Sequence, residues 1–446
     1  MAVVKPFRAL RYVHSRVPRL NEVLSPPYDA LTTDLQLRLH LRNPLNAVRM
    51  EFGQDQPEDD AVENRNVRAG DFWRGWRDQG VLRRDSVAGF YLLEQAHSNG
   101  VRRGFLAVVK LEDLESKVIL PHEETLPASV EDRLQLLRAT KANISPIMAL
   151  YRDPHQMLAE LFFELTDEAM PLVDITDDAG TETHLWYVND PQALENIQHE
   201  FAESPLVLAD GHDRYAAALA YRDEMRAQTP GWTGDEAWNY ALMLLVDVED
   251  PGLQLQPQHL LVNPAPKGAA AAGTIPKDFL AQLGSSFIVG EKTLSGPIPE
   301  VPEVEEGLYD LSEAAERRTR IGMMRAGEPH FYILTMHEGV PIPGKHSEAW
   351  KRLDASRLRT LILERMLSMR DVEAAGKETI AKTSDLREAL MGLGSGRYPL
   401  AFFMNPTPPE QIWDLAQAGE LLPARSTDFA PKVPAGIVFN TLEGTL

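Results

Sequence analysis

Residues 205–226 read PLVLADGHDRYAAALAYRDEMR. The apolar run Pro205 to Leu208 ends at Asp210-Gly211-His212-Asp213-Arg214, and an alanine-rich stretch with helical character comes at once after it. This order predicts a buried strand, a turn that Gly211 permits and a Cβ resists, and a helix opening at Arg214. The first N–H groups of such a helix point outward and its dipole favours negative charge, so a phosphate is the first ligand to consider. Arg214 is the expected clamp and His212 the expected proton carrier. The same five residues also fit a plain structural role, with Asp210 as N-cap, Asp213 in an acidic first turn and the other two on the surface.

Outward from this stretch, Leu172 to Val188 reads as two strands around Asp177-Asp178-Ala179-Gly180, Pro191 to Glu203 as a helix, and Tyr240 to Val248 as a buried strand. Alternating strands and helices give an α/β (α+β) middle region. Upstream, Gly89 to Gln95 and Arg103 to Leu111 form a hairpin across Ser98-Asn99-Gly100, and Ala61 to Gln79 is helical. Pro26-Pro27-Tyr28-Asp29 fixes an extended entry in which Asp29 caps the next segment, and Glu51 to Asp60 is a polar loop. Val118 to Leu120 is a strand running into Pro121-His122-Glu123-Glu124-Thr125, ahead of a helix from Ser129 to Thr140 that carries Arg133 and Arg138. His122 and Glu123 therefore sit at a strand end, where side chains enter sites and where ordinary loop residues also lie.

Asn263 to Thr274 is rich in Pro, Gly and Ala, and Gly296 to Glu306 in Pro and Glu, so both suit linkers. The expected division is 1–150, 151–262, a linker-rich 263–306, and 307–446. The last part reads as helices near 356–368 and 384–391, a strand at 400–404 and a helix near 409–418. The glycine-rich stretch 392–403 lies after a helix and before a strand, the reverse of a phosphate-cradling loop, and no GxxxxGK[ST] occurs. Ala424 to Lys432 holds Arg425, Ser426, Thr427 and Lys432 between turn formers, which suits an oxyanion loop or a plain surface loop.

The chain has 446 residues, too long for one ordinary core. Sixty-six acidic against forty-five basic residues leave a formal charge of −21, which disfavours broad nucleic-acid binding but leaves room for a small phosphorylated ligand. There is no cysteine, which removes thiolate catalysis, cysteine zinc sites and iron–sulfur clusters. The N-terminus lacks an apolar h-region and no apolar run approaches membrane-spanning length, so the expectation is a cytoplasmic protein without a membrane partner. Oligomeric state is left open.

Several stretches together resemble the family of domain of unknown function 1015. The motifs are Pro26-Pro27-Tyr28-Asp29, His122-Glu123-Glu124-Thr125 with Asp132-Arg133, Ala209 to Leu219, Pro257-Gln258-His259, and Leu422 to Lys432. The Asp-Gly-His element also resembles the nucleotide-binding motif of the ParB/sulfiredoxin superfamily, which includes a free-serine kinase and CTP-hydrolysing ParB proteins. The resemblance implies a mixed-sheet ParB/sulfiredoxin-like middle region with further α/β segments on either side. It implies a nucleotide site of Asp210, Gly211, Arg214, His122, Arg133, His259, Ser426, Thr427 and Lys432, with Glu123 or His212 as the catalytic base. Three positions depart from the family pattern. Asp213 stands where a second histidine is usual, Leu260 where an arginine closes PTHR, and Glu124 where an arginine comes after His-Glu. Each removes a phosphate partner. Asp210 and Asp213 could compensate by binding Mg²⁺. The implied function is a Mg²⁺-dependent phosphotransferase that uses a nucleoside di- or triphosphate on a small hydroxyl metabolite. The alternatives are a nucleotide-binding switch or sensor, and an inactive scaffold.

Overall fold

A computed structural model describes residues 2–202, 205–265, 273–312, 318–369 and 378–446. The chain divides into two compact units, residues 1–254 with 429–446, and residues 255–428. The boundary expected near 150 is absent, because Ile147–Tyr151 is an interior strand of the first unit's sheet. The final stretch belongs to the first unit rather than to a separate C-terminal region.

In the first unit the strands are β1 (Val4–Lys5), β2 (Leu10–Tyr12), β3 (Leu82–Arg84), β4 (Phe90–His97), β5 (Gly100–Lys110), β6 (Ile119–Leu120), β7 (Ala142–Asn143), β8 (Ile147–Tyr151), β9 (Val173–Thr176), β10 (Glu182–Val188), β11 (Leu206–Asp210) and β12 (Tyr240–Asp247). The helices are α1 (Thr33–Arg42), α2 (Val48–Glu51), α3 (Arg65–Asp78), α4 (Pro127–Thr140), α5 (Met157–Thr166), α6 (Pro191–Phe201) and α7 (His212–Gln228). Nine strands form one sheet in the order β6-β11-β8-β12-β5-β4-β10-β9, with β1 added to β5. It is mixed: β11 runs parallel to β6, β12 runs parallel to β8, and the other pairs are antiparallel. The expected mixed α/β architecture is what the chain adopts.

The central strands β8, β11 and β12 are buried along nearly their whole length, which explains why their sequences are continuous apolar runs without alternation. Helices α4, α5, α6 and α7 cover one face and contribute Leu134, Phe162, Ile197, Phe201 and Tyr215 to the core. A second cluster gathers Leu10, Tyr12, Trp73, Trp76 and Ile144 around Phe439. Aromatic edges fix that packing, with Phe439 against Tyr12 at 5.7 Å and against Trp73 at 5.7 Å.

The second unit is a six-stranded antiparallel sheet ordered 287–293, 330–336, 320–325, 400–403, 259–262 and 380–383. The linker expected at 296–306 is instead partly helix, Val301–Ser312, whose Val304 and Leu311 are buried. Of the linker expected at 263–274, residues 266–272 lie outside the described ones, as do residues 203–204 at the end of the helix expected over 191–203.

Candidate functional site

The β11–turn–α7 element forms as its sequence implies. Leu206 to Ala209 are buried, the ladder with β8 slips between Leu208 and Asp210, and Gly211 comes next at φ +93°. A bulge at a strand end re-aims the side chains beyond it. Helix α7 opens at His212, two residues before the expected Arg214, and no described side chain caps it. Asp210 is thus not the N-cap. A Cβ on residue 211 would lie 2.8 Å from Arg214 Nε and 3.0 Å from its Cζ, so glycine is required by space as well as by backbone angle.

Two cations meet on Asp210. Lys432 Nζ lies 2.9 Å from Oδ2 and Arg214 Nη2 3.1 Å from Oδ1. Burial alone would raise this carboxyl, but Lys432 and Arg214 hold it well below its ordinary range. Arg214 is buried. Its Nη1 donates to Pro146 O at 2.5 Å and to Ser145 Oγ at 3.2 Å, while its Nε is buried without a partner among the described residues. Asp29 Oδ2 stands 3.9 Å from Nη2. Burial first, and then the charge of Asp210, push the Asp29 carboxyl up to about 6.

A second layer holds these groups in place. Glu51 is 1 % exposed, and its Oε1 accepts from Tyr28 N at 2.9 Å and Ser145 Oγ at 2.9 Å. Arg133 donates from Nη1 to Glu51 O at 2.8 Å, pairs with Asp132, and lies 4.2 Å over the Tyr28 ring. Arg133, expected as a nucleotide contact, is therefore a buried tie between α4, α2 and the Pro26-Pro27-Tyr28 turn. Asp213 is occupied too, accepting from Tyr28 Oη at 2.9 Å and Leu126 N at 2.9 Å. A cavity of about 30 Å³ remains beside Glu51, Arg133, Ser145 and Arg214, room for one water.

The histidines form a T-shaped pair, ring centroids 4.6 Å apart. His122 Nδ1 lies 2.7 Å from Leu208 O, so Nδ1 carries the proton. His212 Nε2 accepts from His122 N at 3.3 Å, which assigns its proton to Nδ1. Burial, then the neighbouring His122, lowers His212 to about 3. A neutral ring whose basic nitrogen is already engaged suits a hydrogen-bond donor, not the base expected from the sequence. Glu123 is buried, with Oε1 3.6 Å from His122 Nε2.

Asp210, Gly211, His212, Arg214, His122, Glu123 and Lys432 thus belong to the first unit, as does Arg133 behind them. His259, Ser426 and Thr427 belong to the second. His259 is buried at 2 %, its Nδ1 accepts from Met404 N at 3.2 Å, and burial lowers it to about 4. Ser426 Oγ donates to Pro423 O at 2.6 Å. Asp210 and Asp213 do not share a metal position, since their oxygens face different donors. Among the described residues no group of three or more His, Asp or Glu could hold a metal ion. Asp29, Glu51 and Ser145 are the site residues that the sequence reading missed. Asp29 stands in the Pro26-Pro27-Tyr28-Asp29 motif, whereas nothing local marks Glu51 or Ser145.

The family model described as "Protein of unknown function (DUF1015)" matches residues 4–356. The chain belongs to this family. Among solved structures, a free serine kinase in complex with AMP is similar at 12 % identity and a TM-score of 0.32, over 74 % of this chain and 91 % of that one. A conserved hypothetical protein from Pyrococcus furiosus is similar at 13 % identity and 0.30, over 74 % and 93 %. SbnI with a C-terminal truncation, from Staphylococcus aureus, is similar at 13 % and 0.33, over 76 % and 87 %. No curated relative matches the sequence. No described helix is long and apolar enough to cross a membrane.

Proposed function

We propose that the turn Asp210-Gly211-His212 binds the phosphates of a nucleotide, and that this DUF1015 protein transfers a phosphoryl group to a small hydroxyl compound, with free serine as the model acceptor. The observation that carries the reading is the uncapped start of α7 with the partnerless Arg214 Nε beside it. Helix N–H groups and a fixed guanidinium are the donors that an oxyanion needs. Phosphoryl transfer asks mainly for positioned positive charge, which Arg214 and Lys432 supply. The proton of the acceptor hydroxyl goes to Glu123 or Asp29. Asp29 is the better matched to neutral pH, because burial and Asp210 raise it to about 6. A Mg²⁺ would arrive with the nucleotide and keep mostly phosphate and water ligands, since Asp210 and Asp213 do not fit as a shared pair.

The test is calorimetric titration with ATP, ADP, CTP and GTP, each with and without Mg²⁺, on the intact protein and on Arg214→Ala, and then assay of ADP or AMP formation with serine and related alcohols. One nucleotide should bind saturably and lose at least about tenfold in affinity in the variant, as expected for a charge-assisted contact. Asp29→Asn should keep binding and lose turnover, and the wild-type rate should fall as pH drops through about 6, where Asp29 takes up its proton. Equal affinity in Arg214→Ala, or no binding at all, overturns the reading.

A switch without transfer is favoured by one observation. Asp210 already pairs with both cations, so an incoming anion that engages them fully must displace its carboxylate and move the 432 segment or the turn. Saturable binding with neither ADP nor AMP formed would decide for the switch.

A further inference from the structure

Strand β3 carries an arginine where its register calls for an apolar residue. Leu82 and Arg84 project to the same side of β3, and Arg84 pairs with the buried Leu10 of β2. Arg83, between them, is exposed. Arg84 is half-buried and makes neither a hydrogen bond nor an ion pair among the described residues, and its Nε is fully buried without a partner. Burial, then Arg8 and Arg77, lower its affinity for a proton. A guanidinium taken out of water beside like charges is unfavourable unless an anion joins it.

The place for that anion exists. A cavity of about 290 Å³ is lined by Arg77, Arg83, Arg84, Thr441 and Glu443 together with Leu10 and Leu82. Glu443 Oε2 pairs with Arg77 Nη1 at 2.9 Å, so the one carboxylate in a lining that holds three arginines is already engaged. On a chain of formal charge −21 this local excess of positive charge is opposite in sign to the molecule as a whole.

We propose that this cavity between the β2–β3 ribbon and the 441–443 segment is an oxyanion-binding site, built for a small polyvalent phosphate of about pyrophosphate size. Arg84 is its principal contact, forked onto two ligand oxygens, with Arg77 turning from Glu443 toward the ligand and Arg83 closing the rim. None of the lining residues belongs to the β11–α7 turn, which sets this site apart from that one.

The probe is inorganic pyrophosphate, titrated calorimetrically against the full chain at ionic strength held constant with NaCl. Arg214→Ala serves as background, so that the other candidate site does not contribute. A saturable isotherm is expected, weakened at least about tenfold by Arg84→Ala and only partly restored in Arg84→Lys, which keeps the charge but not the fork. Glu443→Gln, which releases Arg77, should tighten binding. Arg84→Met should melt no lower than the parent without ligand, because Arg84 makes no polar contact to lose. An isotherm unchanged in both Arg84→Ala and Arg84→Met, or no heat beyond the matched-salt control, overturns the proposal.

Discussion

His212 gives up its water on folding and gains one backbone donor, so its charged form is disfavoured and it binds a proton only near pH 3. An unfolded histidine does so near 6.5, and the unfolded chain therefore takes up protons first as the solution is acidified. The stability that the neutral ring contributes is complete above about pH 6.5 and is lost as pH falls toward 3. Urea midpoints measured between pH 7 and 4 should fall, and His212→Gln should flatten the fall. Asp29 runs the other way. Its folded carboxyl is raised to about 6, so its contribution is complete below the unfolded value near 3.9 and lost as pH climbs through 6. Asp29→Asn should stabilise the protein at pH 7 while removing turnover. Glu51→Ala should cost about 3–5 kcal/mol by urea denaturation, because it leaves Tyr28 N and Ser145 Oγ without their buried acceptor and takes away the carboxylate 3.9 Å from the buried Arg133. None of this is legible for Glu51 in the sequence. Its two hydrogen-bond partners lie 23 and 94 residues away, and it merely opens a polar loop there.

Elements are most legible where local chemistry and packing agree. The β4–β5 hairpin and the β11–turn–α7 unit each combine an apolar run with a turn that needs glycine, so the sequence carries them alone. Helix 301–312 is hidden because prolines and glutamates mask an apolar stripe at 301, 304, 308 and 311. Proline at its second position is where a helix start tolerates it. The start of α4 also differs from the expected Ser129. Pro127 occupies the first turn, and the N-cap residue Leu126 has no side-chain acceptor to offer, while its own N–H donates to Asp213 of α7. The weight that falls on Gly211 gives a sharp expectation. Gly211→Ala should cost about 1–2 kcal/mol for the left-handed backbone alone, more once Arg214 is pushed aside, and should abolish nucleotide binding in the calorimeter.

At the scale of the molecule, the second unit is an insertion. Its first and last residues adjoin, with Gln256 N donating to Asp428 O at 2.7 Å, so the first unit is interrupted at one point. Composition alone could not reveal this, since the return of 429–446 depends on pairing over hundreds of residues, as in Asn440 with Asn143. Replacing 256–428 by a short glycine linker should leave the first unit cooperatively folded by circular dichroism, whereas removing 429–446 should unfold it by stripping Phe439 and Val438 from the core.

The interruption also has a consequence in time. Lys432, which grips Asp210, and Phe439, which fills the cluster around Trp73, are made only after residues 255–428 have been added. At about 5–20 residues per second that segment takes roughly 10–35 s to synthesise. Throughout that interval the growing chain lacks the residues that complete the core of its first unit and the second cation on Asp210. A chaperone that shields apolar surface on the ribosome should therefore act on this protein before release, and any ligand of the β11–α7 turn should bind only afterwards.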